Sequence, residues 1–146
     1  MHLIKIILII GFIMLISCVA TNNTTLVKYP SNRHTDYTMQ VPKGYIFQGK
    51  MGDHHVENVY LYPDSSLIFI TDFSNSPNYD VLVKDSLYYT KFAANVLSND
   101  TLFLEGVFIE RYWKDITYGP ICIGYHNVQE SKKSAYDTSL KSFRMR

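Results

Sequence analysis

Cysteine is nearly absent: the 146-residue chain has two, Cys18 and Cys122, too few to frame a small disulfide-stapled domain. Its seven glycines are scattered, so no Gly-rich loop able to cradle a phosphate is spelled out. Serines are plentiful, but none sits in the G-x-S-x-G elbow of α/β-hydrolases. An excess charge of one sign is missing too. Fourteen Lys and Arg stand against thirteen Asp and Glu, with no basic patch, which argues against nucleic-acid binding through counterion release. Repeats and low-complexity tracts do not occur. Long apolar runs are also lacking, since the uninterrupted stretch Ile6–Ile16 supplies only half of the roughly 20 residues a spanning helix needs.

What is present describes a folded protein of one domain. Hydrophobic residues make up 47% and charged residues 18% of the chain, the balance of a globular domain and not of a disordered one. Twelve Tyr and eight Phe are many for this length. Strand propensity in a β-rich domain accounts for them; an aromatic face for sugars or peptides is the sharper alternative, and spacing alone does not decide between the two.

The N-terminus runs from a short basic start (His2, Lys5) through the apolar run to small residues, the layout of an export signal. Polar "TNNTT" follows at once, which disfavours a membrane span. "Leu15-Ile16-Ser17-Cys18" resembles the lipobox of bacterial lipoproteins, with Ile where Ala or Ser is preferred. That resemblance implies lipidation of Cys18, cleavage before it, and Leu15 and Ser17 as the recognised residues. Ordinary cleavage after Ala20 is the rival. Removal of residues 1–17 takes away Lys5 and leaves a neutral mature chain whose one internal thiol, Cys122, has no disulfide partner. Val19 is not Asp, and no acidic run follows Cys18. By analogy with Gram-negative sorting, this favours the outer membrane and its periplasmic face.

From Val19 to Asp36 the sequence has no sustained period and reads as a flexible tether. Beyond it, alternating apolar residues predict strands over 37–41, 45–49, 56–62, 67–72, 101–106, 110–118 and 121–128. Pro63-Asp64 and Gly119-Pro120 mark two hairpin turns, and 73–79 reads as a polar loop. Helical spacing predicts helices over Asp85–Leu97 and Ser131–Phe143. Hairpins outnumber strand–helix–strand units, so the expected fold is α+β, a mainly antiparallel sheet with about two helices packed on it. The expected organisation is a signal peptide at 1–17, a lipidated cysteine and tether at 18–36, and a single domain at 37–146. The "VPKGY" opening (41–45), the order of elements and the closing "LKSF" (140–143) resemble the PsbP/Mog1-like fold. That resemblance implies a non-catalytic assembly or binding factor and transfers no site residues.

Four constellations bear on chemistry. Asp53, His55 and Glu57 share one face of an extended segment and are the candidate metal ligands, with His54 on the other face. A solvated turn is the competing reading, and no second ligand pair occurs elsewhere. Cys122 and His126 lie four strand residues apart, about 13 Å, too far for a thiol–imidazole pair; Cys122, between two isoleucines, is expected as a buried structural thiol. Glu105, Glu110 and Asp115 near Trp113 are the candidate carboxylates of an envelope hydrolase, set against exposed charges around a strand connection. Asn22, Asn23 and Asn99 head N-x-[ST] triplets that matter only in a eukaryotic secretory pathway. No cofactor is expected. The expected partners are a lipid bilayer through Cys18 and an envelope protein or small ligand.

Overall fold

A computed structural model describes residues 23–30, 36–51, 56–72, 76–78, 101–119 and 121–145. These form two antiparallel sheets and a helix. The strands are β1 (Thr24–Pro30), β2 (Asp36–Pro42), β3 (Ile46–Met51), β4 (Val56–Leu61), β5 (Leu67–Asp72), β6 (Leu102–Phe108), β7 (Arg111–Tyr118), β8 (Ile121–Val128) and β9 (Arg144–Met145). Helix α1 spans Glu130–Lys141. The larger sheet runs β3-β4-β5-β8-β7-β6 and the smaller β1-β2-β9. A mainly antiparallel α+β architecture is thus observed, with one helix among the described residues. The expected helix over 85–97 lies outside them. No described helix is long and apolar enough to cross a membrane.

Period-two alternation decides which face of each strand is buried. Tyr60, Ile68, Ile70, Ile116, Ile123 and Tyr125 all turn to one face of the large sheet. There they meet Val27, Tyr29, Met39 and Val41 of the small sheet and Tyr136, Leu140 and Phe143 from the helix and its end, in a single core. The described tyrosines belong to this core or pack against it, instead of forming an open aromatic face. Tyr62 packs against Tyr136 at 5.4 Å, Tyr136 against Tyr125 at 5.9 Å, and Phe143 stacks on Tyr37 at 5.6 Å. Buried hydroxyls need partners, and these find them: Tyr62 Oη donates to Pro42 O at 2.8 Å, and Tyr136 Oη shares a 2.7 Å bond with Ser66 Oγ.

Two expectations about boundaries are corrected. Thr24–Pro30, assigned to the tether on composition, is a strand in register with β2 from Thr24↔Pro42 to Pro30↔Asp36. Val27 and Tyr29 are buried while Leu26 and Lys28 face outward; this alternation becomes stabilising only once β2 and the core supply a partner. The terminal helix stops at Lys141, not Phe143. The Ser142 N–H closes back on Thr138 and Ser139 O at 3.2 and 3.0 Å, which lets Phe143 stack on Tyr37 and Tyr118.

The reversals also have physical signatures. In the β4–β5 loop, Pro63 and Asp64 lead to Ser65 at φ +64°, a left-handed residue that turns the chain back toward β5. The Ser66 Oγ–H donates to Asp64 Oδ1 at 2.5 Å, and Lys132 on α1 reaches Asp64 Oδ2 at 2.6 Å. The β6–β7 reversal has only Ile109 and Glu110 between the paired Phe108 and Arg111, both at positive φ (+48° and +58°).

Candidate functional site

A buried polar cluster among the described residues lies on the opposite face of the large sheet, away from the main core. Register places Asp115 on β7 opposite Gly124 on β8. A Cβ at Gly124 would fall 2.9 Å from Asp115 Oδ1 and 2.2 Å from Lys114 O, so only glycine leaves room for this carboxylate. Asp115 is 1% exposed. Its Oδ2 accepts from Ser76 Oγ at 2.7 Å, and its Oδ1 accepts from Asn78 Nδ2. Asn78 Nδ2 also donates to Tyr125 O at 3.2 Å, and Asn78 N donates to Ser76 Oγ at 3.1 Å. With the Asn78 amide nitrogen directed at these acceptors, its Oδ1 faces His126 Nδ1 at 2.7 Å. The network therefore assigns His126 as the tautomer with its proton on Nδ1.

Burial is the dominant force on these groups. It pushes the Asp115 carboxyl up from 3.8 to about 6, against the opposing hydrogen bonds from Ser76 and Asn78. Burial also lowers the His126 imidazole below its ordinary value. The Cys122 thiol is raised well above the usual range, first by burial and then by the neighbouring Asp115 charge. Cys122 is 2% exposed, between Thr71 on β5 and Thr117 on β7. Its high value and enclosure disfavour a thiolate nucleophile. His126 Nδ1 is meanwhile committed to Asn78, so the described residues hold no cysteine–histidine pair.

Chemically, Asp115 acts here as a tie. Together with the Tyr125 carbonyl, it fastens the short segment 76–78 to the middle of the sheet through buried hydrogen bonds. Neither Ser76 nor Asn78 was singled out from sequence. The signal available was Gly124 inside the strand, after the apolar Ile121-Cys122-Ile123, which indicates a close approach at that point.

The candidate carboxylates do not converge. Glu105 pairs across the ladder with Lys114, and Lys114 Nζ lies 2.8 Å from Glu105 and 3.3 Å from Asp137. Asp115, one residue further along β7, therefore points through the other face. Glu110 is exposed in the β6–β7 loop. Trp113 lies over Gly106, where a Cβ would sit 2.7 Å from its ring. The spacing that a glycosidase needs between two facing carboxyls is thus not formed by these three residues. Of the candidate metal ligands, Asp53 and His55 lie outside the described residues, as does His54. Glu57 sits on β4, paired with Lys50 and Thr71. Among the described residues no group of three His, Cys, Asp or Glu side chains could hold a metal ion. Leu15, Ser17 and Cys18 also lie outside them.

No protein-family model, curated protein or solved structure matches this chain.

Proposed function

We propose that this chain is a bacterial lipoprotein: an exported α+β domain held on a membrane by acylated Cys18, with a non-catalytic binding or assembly role in the cell envelope. One observation carries the proposal, the "LISC" junction closing an apolar run too short to span a bilayer. Two or three acyl chains, at about 0.8 kcal/mol per buried methylene, anchor a protein stably where a single chain would not. Among the described residues, the groups considered for catalysis lend the hydrolase alternative no support. Asp115 is enclosed in hydrogen bonds, Glu105 is committed to Lys114 and Cys122 is buried. The partner is an envelope protein or a small ligand, and Val19 after the anchor favours the periplasmic face of the outer membrane.

The test is fractionation of a Gram-negative host producing the full chain or its Cys18→Ala variant. The unaltered protein is expected in the membrane fraction, with acyl mass on the peptide that begins at Cys18. The variant is expected to leave that fraction. A variant that stays membrane-bound to the same extent refutes the anchor.

A further inference from the structure

One border of the large sheet gathers several chain reversals. Register places there the start of β3, the β4–β5 loop, the end of β8 and the Ile109–Glu110 tip of the β6–β7 hairpin. The chain enters at this same border. Lys43 N donates to Asn23 O at 2.9 Å, and the adjacent Pro42 O accepts from Tyr62 Oη. Apolar side chains project here into solvent: Ile109 is 78% exposed, Ile46 66% and Phe108 45%. Single exposed apolar residues are ordinary, but this loop composition is not. A two-residue loop with both φ angles positive favours Asn-Gly, whereas a β-branched residue in that region is an outlier. Ile109 adopts it at φ +48° and makes no use of its side chain in the core.

We propose that this border seats on the lipid bilayer, with the Phe108–Ile109 tip entering the headgroup region. The proposal rests on the lipid-anchor reading above. The length of chain outside the fold selects the occupant. With β1 part of the sheet structure, only Val19–Asn23 separate the anchor from Thr24, and five residues reach at most about 18 Å. Strands lie about 4.8 Å apart, so the hairpin tip is roughly 15 Å along the border from the end of β4, where the chain enters. A leash no longer than the border itself holds this end of the domain against the membrane. Lys43, exposed at this border, supplies positive charge suited to phospholipid phosphates. The Nη1 of Arg111 beside the tip is buried, and of the acidic residues here Glu110 is exposed at the tip while Asp64 is paired with Lys132.

The test uses the full-length protein with Ile109→Cys or, at the far end of β6, Thr101→Cys. Each variant is labelled with an environment-sensitive fluorophore; Cys122 is buried and stays unlabelled while the protein is folded. Both are reconstituted in phosphatidylethanolamine–phosphatidylglycerol vesicles carrying a spin-labelled lipid, and mass spectrometry reads acylation of Cys18 in the same samples. Quenching at position 109 at least threefold stronger than at 101 is expected. Equal or absent quenching with Cys18 acylated overturns the docking and leaves the anchor standing. Cys18 without acyl chains overturns both. Protection of position 109 in native envelopes but not in protein-free vesicles assigns the border to a protein partner and overturns the lipid assignment.

Discussion

Replacing Asp115 with Asn removes the buried carboxyl while keeping its shape, and the consequence is a change in how stability depends on pH. The folded-state value of about 6 lies above the unfolded value of 3.8. The native state therefore holds this proton more tightly than the unfolded chain does. The stability it contributes is fully present below pH 3.8 and is lost as pH rises through about 6. Over pH 4 to 7 that loss amounts to roughly 2–3 kcal/mol for a shift of this size. The amide of the variant has no proton to lose in this range. It forfeits one acceptor toward Ser76 or Asn78, a cost of about 1 kcal/mol that does not vary with pH. Urea unfolding followed by the fluorescence of Trp113, the single tryptophan, gives both stabilities at each pH. Other groups titrate nearby. Burial works against the Asp64 charge, yet hydrogen bonds from Lys132 and Ser66 hold that carboxyl down to about 2, and His126 titrates below its ordinary value. These contributions are common to both proteins and cancel in the difference. The advantage of the parent over Asp115→Asn is expected to shrink by roughly 2–3 kcal/mol between pH 4 and pH 7. A difference that stays flat within about 0.5 kcal/mol refutes the assignment of Asp115 as a carboxyl raised by burial.

Two further substitutions probe the backbone. Gly124→Ala places a methyl group 2.2 Å from Lys114 O and 2.5 Å from the Phe69 ring; because a paired strand carbonyl cannot yield, a loss of at least about 3 kcal/mol is expected in urea unfolding, and a loss under about 1 kcal/mol would contradict the close approach. Ile109→Asn relieves a β-branched residue at φ +48° of a penalty of roughly 1–2 kcal/mol. The variant is expected to melt a few degrees higher, and a lower melting temperature would show that Ile109 is stabilised by contacts within the domain.

The elements that were legible share a local cause. β5 and β8 coincide with the expected 67–72 and 121–128, because apolar runs bounded by Pro63-Asp64 and Gly119-Pro120 need no distant information. β1 was not legible: "TTLVKYP" reads as linker until β2 pairs with it and the core covers Val27 and Tyr29. The Ile109–Glu110 reversal lacks every turn residue, and the expected strand over 101–106 stopped short of Phe108 for that reason. Which strands neighbour one another is a non-local outcome as well; β5 pairs with β8 although a long stretch of chain separates them. At the polar cluster, Asp115 was singled out for the wrong company. Proximity in sequence grouped it with Glu105, and strand alternation sends the two through opposite faces. Its actual partners, Ser76 and Asn78, come from a distant loop.

The placement of β1 also bears on mechanics. β1 forms the outer rung of the small sheet, clasped antiparallel to β2, whose other side is closed by the C-terminal β9. Tension applied through the residues before Asn23 enters the domain at Thr24 and runs along the strand. The β1–β2 ladder then resists in shear, its hydrogen bonds sharing the load instead of parting one at a time. Under such force the first element to yield would be β1, with Val27 and Tyr29 drawn out of the core.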